Sequence, residues 1–183
     1  MKHDKMTKEI KIPYSNLKIG LVFIGALTFV VISVMILMDK EGLTSIMFRS
    51  EILNKVVAVI AILFFGTVCV TIPWKLFQNN MGLIINDKGI VDKSNLSSIG
   101  LIEWEDITGI RTEQVQKTRF FLIDTNRPKK YIDKANSRFK KRLLSGNKRM
   151  YKTPLSITLT ILKVKFRDLE KMLFDAYEEN KKL

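Results

Sequence analysis

With one cysteine and one histidine in 183 residues, the chain has little of what most enzyme chemistry requires. The lone Cys69 can form neither an internal disulfide nor a multi-thiolate zinc site. The lone His3 leaves no histidine pair for a metal and no Ser/His or Cys/His base–nucleophile set. Cys69 falls in an apolar run, where packing accounts for it. Gly82, Gly89, Gly100 and Gly109 follow neither a GxGxxG nor a P-loop spacing, so no nucleotide cofactor and no metal is expected. Charge is also missing, but only locally. Ile19–Met38 holds twenty positions without a charged residue, and Val56–Trp74 holds nineteen more. At about 1.5 Å per residue, each run is long enough for a hydrocarbon core of about 30 Å. That pattern argues against a wholly soluble protein.

A cleaved signal peptide has a shorter apolar region, of about 7–15 residues, and a small-residue cleavage site. Ile19–Met38 is longer, runs straight into Asp39-Lys40-Glu41 and lacks an Ala-x-Ala pattern. It reads as a retained transmembrane helix. Residues 1–18 carry five lysines against Asp4 and Glu9, whereas the connection at residues 39–55 carries only Lys40, Arg49 and Lys55. Lys and Arg near spans mark the cytoplasmic side, so both termini are expected there. The expected order is a cytoplasmic segment at 1–18, spans at 19–38 and 56–74 joined by an external loop at 39–55, and a cytoplasmic domain at 75–183. Leu43, Ile46, Met47 and Phe48 would let the external loop hug the membrane. Gly25 and Gly66 suggest close helix approach, and Phe64, Phe65 and Trp74 suit a lipid-facing surface. Neither run contains an ionisable relay, which disfavours a pump or transporter.

Beyond Phe77 the texture changes. Leu83-Ile84-Ile85, Asn86-Asp87-Lys88-Gly89 and Ile90-Val91 read as strand, turn and strand. Further strands are expected at Ile99–Trp104, Ile107–Val115, Thr118–Asp124 and Leu155–Ile161, the last by its strict alternation. Leu162, Phe166, Leu169, Leu173, Ala176 and Tyr177 recur at helical spacing and form one apolar stripe, which needs the sheet as its partner. The fold class is therefore a two-helix transmembrane hairpin followed by an antiparallel β domain closed by a C-terminal amphipathic helix.

Met81-Gly82-Leu83-Ile84-Ile85-Asn86-Asp87-Lys88-Gly89-Ile90, followed by Gly100-Leu101-Ile102-Glu103-Trp104-Glu105-Asp106-Ile107, resembles a pattern in small bacterial membrane proteins. These have two transmembrane helices and a cytoplasmic pleckstrin-homology-like domain. The likeness continues through Tyr131-Ile132, Asn136, Thr153-Pro154-Leu155-Ser156-Ile157 and the closing helix. It implies a strongly bent antiparallel sheet plugged at one end by that helix, placed at the inner membrane of a bacterial cell.

The chain departs from the pattern in its basic segment. Arg127–Lys152 holds eleven cations against Asp133, most of the net charge of +13. Anionic headgroups attract nearby Lys and Arg by about 1 kcal/mol each. Lys129, Lys130, Lys134, Arg138, Lys140, Lys141, Arg142, Lys148, Arg149 and Lys152 are the candidate lipid-binding residues. Tyr131-Ile132 and Phe139 with Leu143-Leu144 are candidates for the apolar side of a basic amphipathic helix. The competing reading is a solvated loop that only reinforces topology. Nucleic acid is disfavoured because Phe139 and Tyr151 are too sparse for a stacking platform. Glu103, Glu105 and Asp106 surround Trp104, and strand alternation would send both glutamates to one face. Without a nucleophile or metal partner nearby, Trp104 is expected in the core and the acids at a solvated turn. The function expected is non-enzymatic: a basic membrane-anchored domain that binds anionic lipid or a membrane protein. A bacteriocin self-immunity or cell-envelope stress role stays open beside it.

Overall fold

The computed structural model describes residues 9–38, 50–78 and 81–181. His3 and most of the expected external loop, including Leu43, Ile46, Met47 and Phe48, lie outside the described residues, and so does the Trp74 side chain. The chain divides into two compact units, Asn16–Asn80 and the combination of Met1–Ser15 with Met81–Leu183.

The described residues of the first unit include two long helices, α1 (Asn16–Met38) and α2 (Glu51–Gln78). Both contain a stretch long and apolar enough to cross a membrane. Ile19, Ala26 and Ser33 of α1 and Asn54 and Ala58 of α2 are buried, and Phe29 of α1 stacks on Phe65 of α2 with ring centroids 4.6 Å apart. Gly25 and Gly66 do not make the close approach expected of them, for a Cβ at either would meet open space. Leu21, Ile24, Leu63 and Phe64 are all exposed, so the pair displays much of its large apolar surface. The hydroxyls of Thr28, Ser33, Thr67 and Thr71 each donate to the carbonyl four residues back, at 2.6–2.9 Å. Such bonds satisfy a polar side chain without water.

The described residues of the second unit contain seven strands in two antiparallel sheets. Sheet 1 has the order β1 (Ile10–Pro13), β2 (Met81–Asn86), β3 (Gly89–Asp92) and β4 (Gly100–Glu103). Sheet 2 has the order β5 (Ile107–Val115), β6 (Thr118–Thr125) and β7 (Leu155–Thr158). A short 3-10 turn, Trp104–Asp106, carries the chain between sheets. Helices α3 (Pro128–Asp133) and α4 (Arg138–Tyr151) lie between β6 and β7, and α5 (Phe166–Lys181) closes the chain. Leu83, Ile85, Ile90 and Ile102 of sheet 1 meet Phe121, Ile123 and Ile157 of sheet 2 in a core that also takes Leu169, Leu173 and Ala176 of α5. Gly89 closes the β2–β3 turn at φ +151°, where a Cβ would strike the Ile102 carbonyl.

Strand β1 belongs to this unit although both long helices separate it from β2. Ile10, Lys11 and Ile12 pair with Ile85, Ile84 and Leu83, and a bulge brings Pro13 opposite Met81. The next residues reach the other sheet's end. Lys163 donates its backbone N–H to Pro13 at 2.9 Å, Ser15 donates to Ile161 at 2.7 Å, and Tyr14 bridges Leu162. Gly82 sits at that meeting point, where a Cβ would run into Leu162 and the Tyr14 ring. Leu162 is accordingly buried in the strand region, and the closing helix begins at Phe166 instead.

Candidate functional site: the basic helices α3 and α4

The basic segment is folded. Pro128 occupies the first turn of α3, where its missing N–H costs nothing. One turn of helix then aims Lys130 and Tyr131 at the 3-10 turn between the sheets. Tyr131 is fully buried. Its hydroxyl donates to the Asp106 carboxylate at 2.7 Å and accepts the Glu103 backbone N–H at 3.2 Å. Lys130 Nζ lies 2.7 Å from Asp106 and 2.6 Å from Glu103. Arg127 Nη1 stands 3.3 Å from the other Asp106 oxygen.

This geometry corrects the reading of the three acids. Asp106 is not at a solvated turn, since its side chain is 1% exposed. The 3-10 turn breaks the strand alternation, leaving Glu103 half-buried and Glu105 exposed. Trp104 sits half-buried at the edge of the core and donates Nε1–H to the Asn86 carbonyl at 2.8 Å. Burial alone pushes the Asp106 carboxyl up. Hydrogen bonds from Lys130 and Tyr131, with the charges of Lys130 and Arg127, hold it net below the usual carboxylate range. Its hydrogen bonds to Asp106 and Glu103 in turn raise Lys130 above the ordinary lysine range. Burial and the neighbouring Asp106 raise Tyr131. Lys130 thus spends its charge inside the domain, as the clamp that docks α3.

Helix α4 starts at Ser137, whose side chain accepts the Lys140 N–H at 3.2 Å, and ends at Lys152 in the left-handed region at φ +69°. Leu144 is fully buried, and Asn147 reaches the Pro154 carbonyl at 3.4 Å. Tyr151 packs edge-on against Phe120 at 5.5 Å. Its carbonyl accepts from Arg111, which also pairs with Asp124. These contacts fix which side of α4 faces the domain.

The other side is left to solvent. With successive residues about 100° apart, Arg138, Arg142 and Arg149 fall on one outer line about 16 Å long. Phe139, Gly146 and Met150 fall on the adjacent line. All three arginines are exposed, Phe139 is 64% exposed and Met150 71%. The expectation that Tyr131, Phe139 and Leu144 share one apolar side does not hold. Tyr131 and Leu144 anchor the helices inward, while Phe139 points away from the core.

The remaining candidate cations are spread around these helices. Lys129, Lys141 and Lys152 are exposed, with Lys141 3.6 Å from Asp133. Lys134 is exposed and reaches the Leu101 carbonyl at 3.3 Å. Lys140 and Lys148 are half-buried, and the charge of Lys140 is felt by the buried Asp92. Ser137 before a run of helix formers was the legible signal for α4. The isolated Met150, four residues past Gly146, is the sequence signal of the outer stripe. Among the described residues, no three His, Cys, Asp or Glu side chains gather as metal ligands. The chain matches no family model, no curated protein and no solved structure.

Proposed function

We propose that this chain is a non-catalytic membrane protein in which two spanning helices hold a pleckstrin-homology-like domain against the cytoplasmic leaflet of a cell membrane, where α4 engages anionic headgroups. The large apolar side chains displayed by α1 and α2 support the spans, since such a surface is stable only in hydrocarbon or against a partner. The pairing of β1 with β2 supports placing the entry and exit of the hairpin on one side. Two antiparallel sheets and a closing helix support the pleckstrin-homology-like reading of the domain.

The observation that carries the reading is the outer face of α4. In water, a phenylalanine and a methionine turned outward beside three aligned arginines gain nothing from burial. At a bilayer surface the same pattern is favourable: guanidinium groups bind phosphate and the apolar side chains enter the headgroup boundary. An environment-sensitive fluorophore at Phe139→Cys, in a Cys69→Ala background, tests it in the full-length protein reconstituted in vesicles. The probe's emission should shift blue as phosphatidylglycerol replaces phosphatidylcholine and revert at high salt. Identical emission in both lipids would refute the assignment.

A further inference from the structure

We infer that the β3–β4 loop, residues 93–99, is a second membrane-contacting element that sets Leu96 into the headgroup–acyl boundary. The inference rests on the reading that α1 and α2 span the bilayer. Strand direction places the loop. β2 starts at Met81, where the chain re-enters the domain, and ends at Asn86. β3 returns, so that Asp92 comes opposite Leu83, and the Lys93 N–H continues the ladder to the Gly82 carbonyl at 2.9 Å. The loop therefore turns over at the end of sheet 1 where the chain re-enters the domain, and the Asn86–Gly89 turn lies at the opposite end. Tyr14, two residues before α1, donates its hydroxyl to the Lys93 carbonyl at 2.9 Å. Two residues of chain span about 7 Å at most, similar to the headgroup layer on one side of a bilayer.

The loop is also built inside out for water. Asp92, 2% exposed, accepts the Ser94 N–H at 2.8 Å and the Ser98 hydroxyl at 2.5 Å. Asn95 accepts from the Ser97 N–H at 2.8 Å and from its hydroxyl at 2.6 Å. Its amide donates to the Ser156 carbonyl of β7 at 2.7 Å, and Ser94 accepts the Thr158 N–H at 3.1 Å. Polar side chains that normally face solvent in a turn are consumed holding the loop against sheet 2. The one large apolar side chain at its centre, Leu96, is 72% exposed. Lys93 and Lys163, which hydrogen-bonds Pro13 through its backbone, are exposed at the same end. A rigid loop that offers a leucine flanked by lysines suits anionic lipid, with the cations at phosphate level and the leucine just below.

The test uses nitroxide spin labels at single cysteines in the full-length Cys69→Ala protein, in vesicles of phosphatidylglycerol and phosphatidylcholine. Positions 96, 88 and 63 report the loop, the opposite turn and the exposed face of α2. Accessibility to oxygen and to an aqueous nickel chelate gives depth. The label at 96 should be several-fold less accessible to nickel than the label at 88, and shallower than the label at 63. Equal accessibility at 96 and 88, with 63 shielded, would overturn the loop assignment and leave the spans standing. A label at 63 open to nickel would overturn the spans, and the loop assignment with them.

Discussion

Pro13 lies opposite Met81 across the β1–β2 pairing, with both long apolar helices between them in sequence. The hairpin is thus an insertion within the β domain and not a leader in front of it. A strand that leaves the sheet into one helix and returns from the other fixes both ends of that excursion to one sheet edge. Compartment reporters fused before Met1 and after Leu183 should accordingly both report cytoplasm, and a reporter in the connection between α1 and α2 the outside. Opposite compartments for the two termini are incompatible with β1 in this sheet.

Strand β1 should be as necessary to the domain as the closing helix. Ile12 is 4% exposed within the core and Leu169 is fully buried. An unpaired carboxylate at either position costs several kcal/mol against a total stability of about 5–15. Ile12→Asp and Leu169→Asp should therefore both leave the domain open to limited proteolysis in the full-length protein, while Arg167→Asp, on the exposed side of α5, stays resistant. A resistant Ile12→Asp would remove β1 from the sheet.

Much of this architecture was legible in the residues. The strand read at Ile107–Val115 coincides with β5, strict alternation placed the start of β7 at Leu155, and the Asn-Asp-Lys-Gly turn placed β2 and β3. The stripe from Phe166 to Tyr177 located α5. Strand β1 is hard to read because its four residues come just before a long apolar run, and its Lys11 counts among the lysines that set topology. Yet Ile10-Lys11-Ile12 alternates, and that was its signal. The Asp106 clamp was unreadable for a different reason: its partners Lys130 and Tyr131 come from a segment whose charge masked one buried turn of helix. Charge density marked α4 as unusual, but only packing of Leu144 shows which of its faces is free.

Breaking the Asp106 clamp should be costly. Asp106→Ala leaves the buried Tyr131 hydroxyl without its acceptor, so it should destabilise the domain by about 1–3 kcal/mol. Asp106 titrates lower in the folded domain than in the unfolded chain, so its contribution is fully present above the ordinary carboxylate range. It is lost as pH falls through the lowered native value. Melting of wild type and Asp106→Ala from about pH 7 to about pH 3 should show the gap narrowing at the acid end. A pH-independent gap would rule out the charged form as the stabilising one.

Asp92 should show the opposite sign. Burial pushes its carboxyl above the ordinary range, against the hydrogen bonds from Ser98 and Ser94 and the charge of Lys140. The native state keeps this proton longer than the unfolded chain, so Asp92 costs stability as pH rises through the ordinary carboxylate value to the raised one. Asp92→Asn should flatten that decline in the same melting series. An unchanged decline would place its origin in another group.

The central claim, that the outer face of α4 binds anionic lipid by charge, is tested most directly in a hairpin-free variant. Joining residues 9–15 to 81–183 through a short Gly-Ser linker keeps the β1–β2 pairing and removes the apolar helices. Flotation of this variant with phosphatidylglycerol vesicles, across a salt series and with its fold checked by circular dichroism, compares it with Arg138→Gln/Arg142→Gln/Arg149→Gln. The account predicts a loss of about 3 kcal/mol at low salt, about 1 per charge and roughly 150-fold in affinity, which shrinks as ionic strength rises. Equal binding by both folded proteins, or binding indifferent to salt, would contradict it.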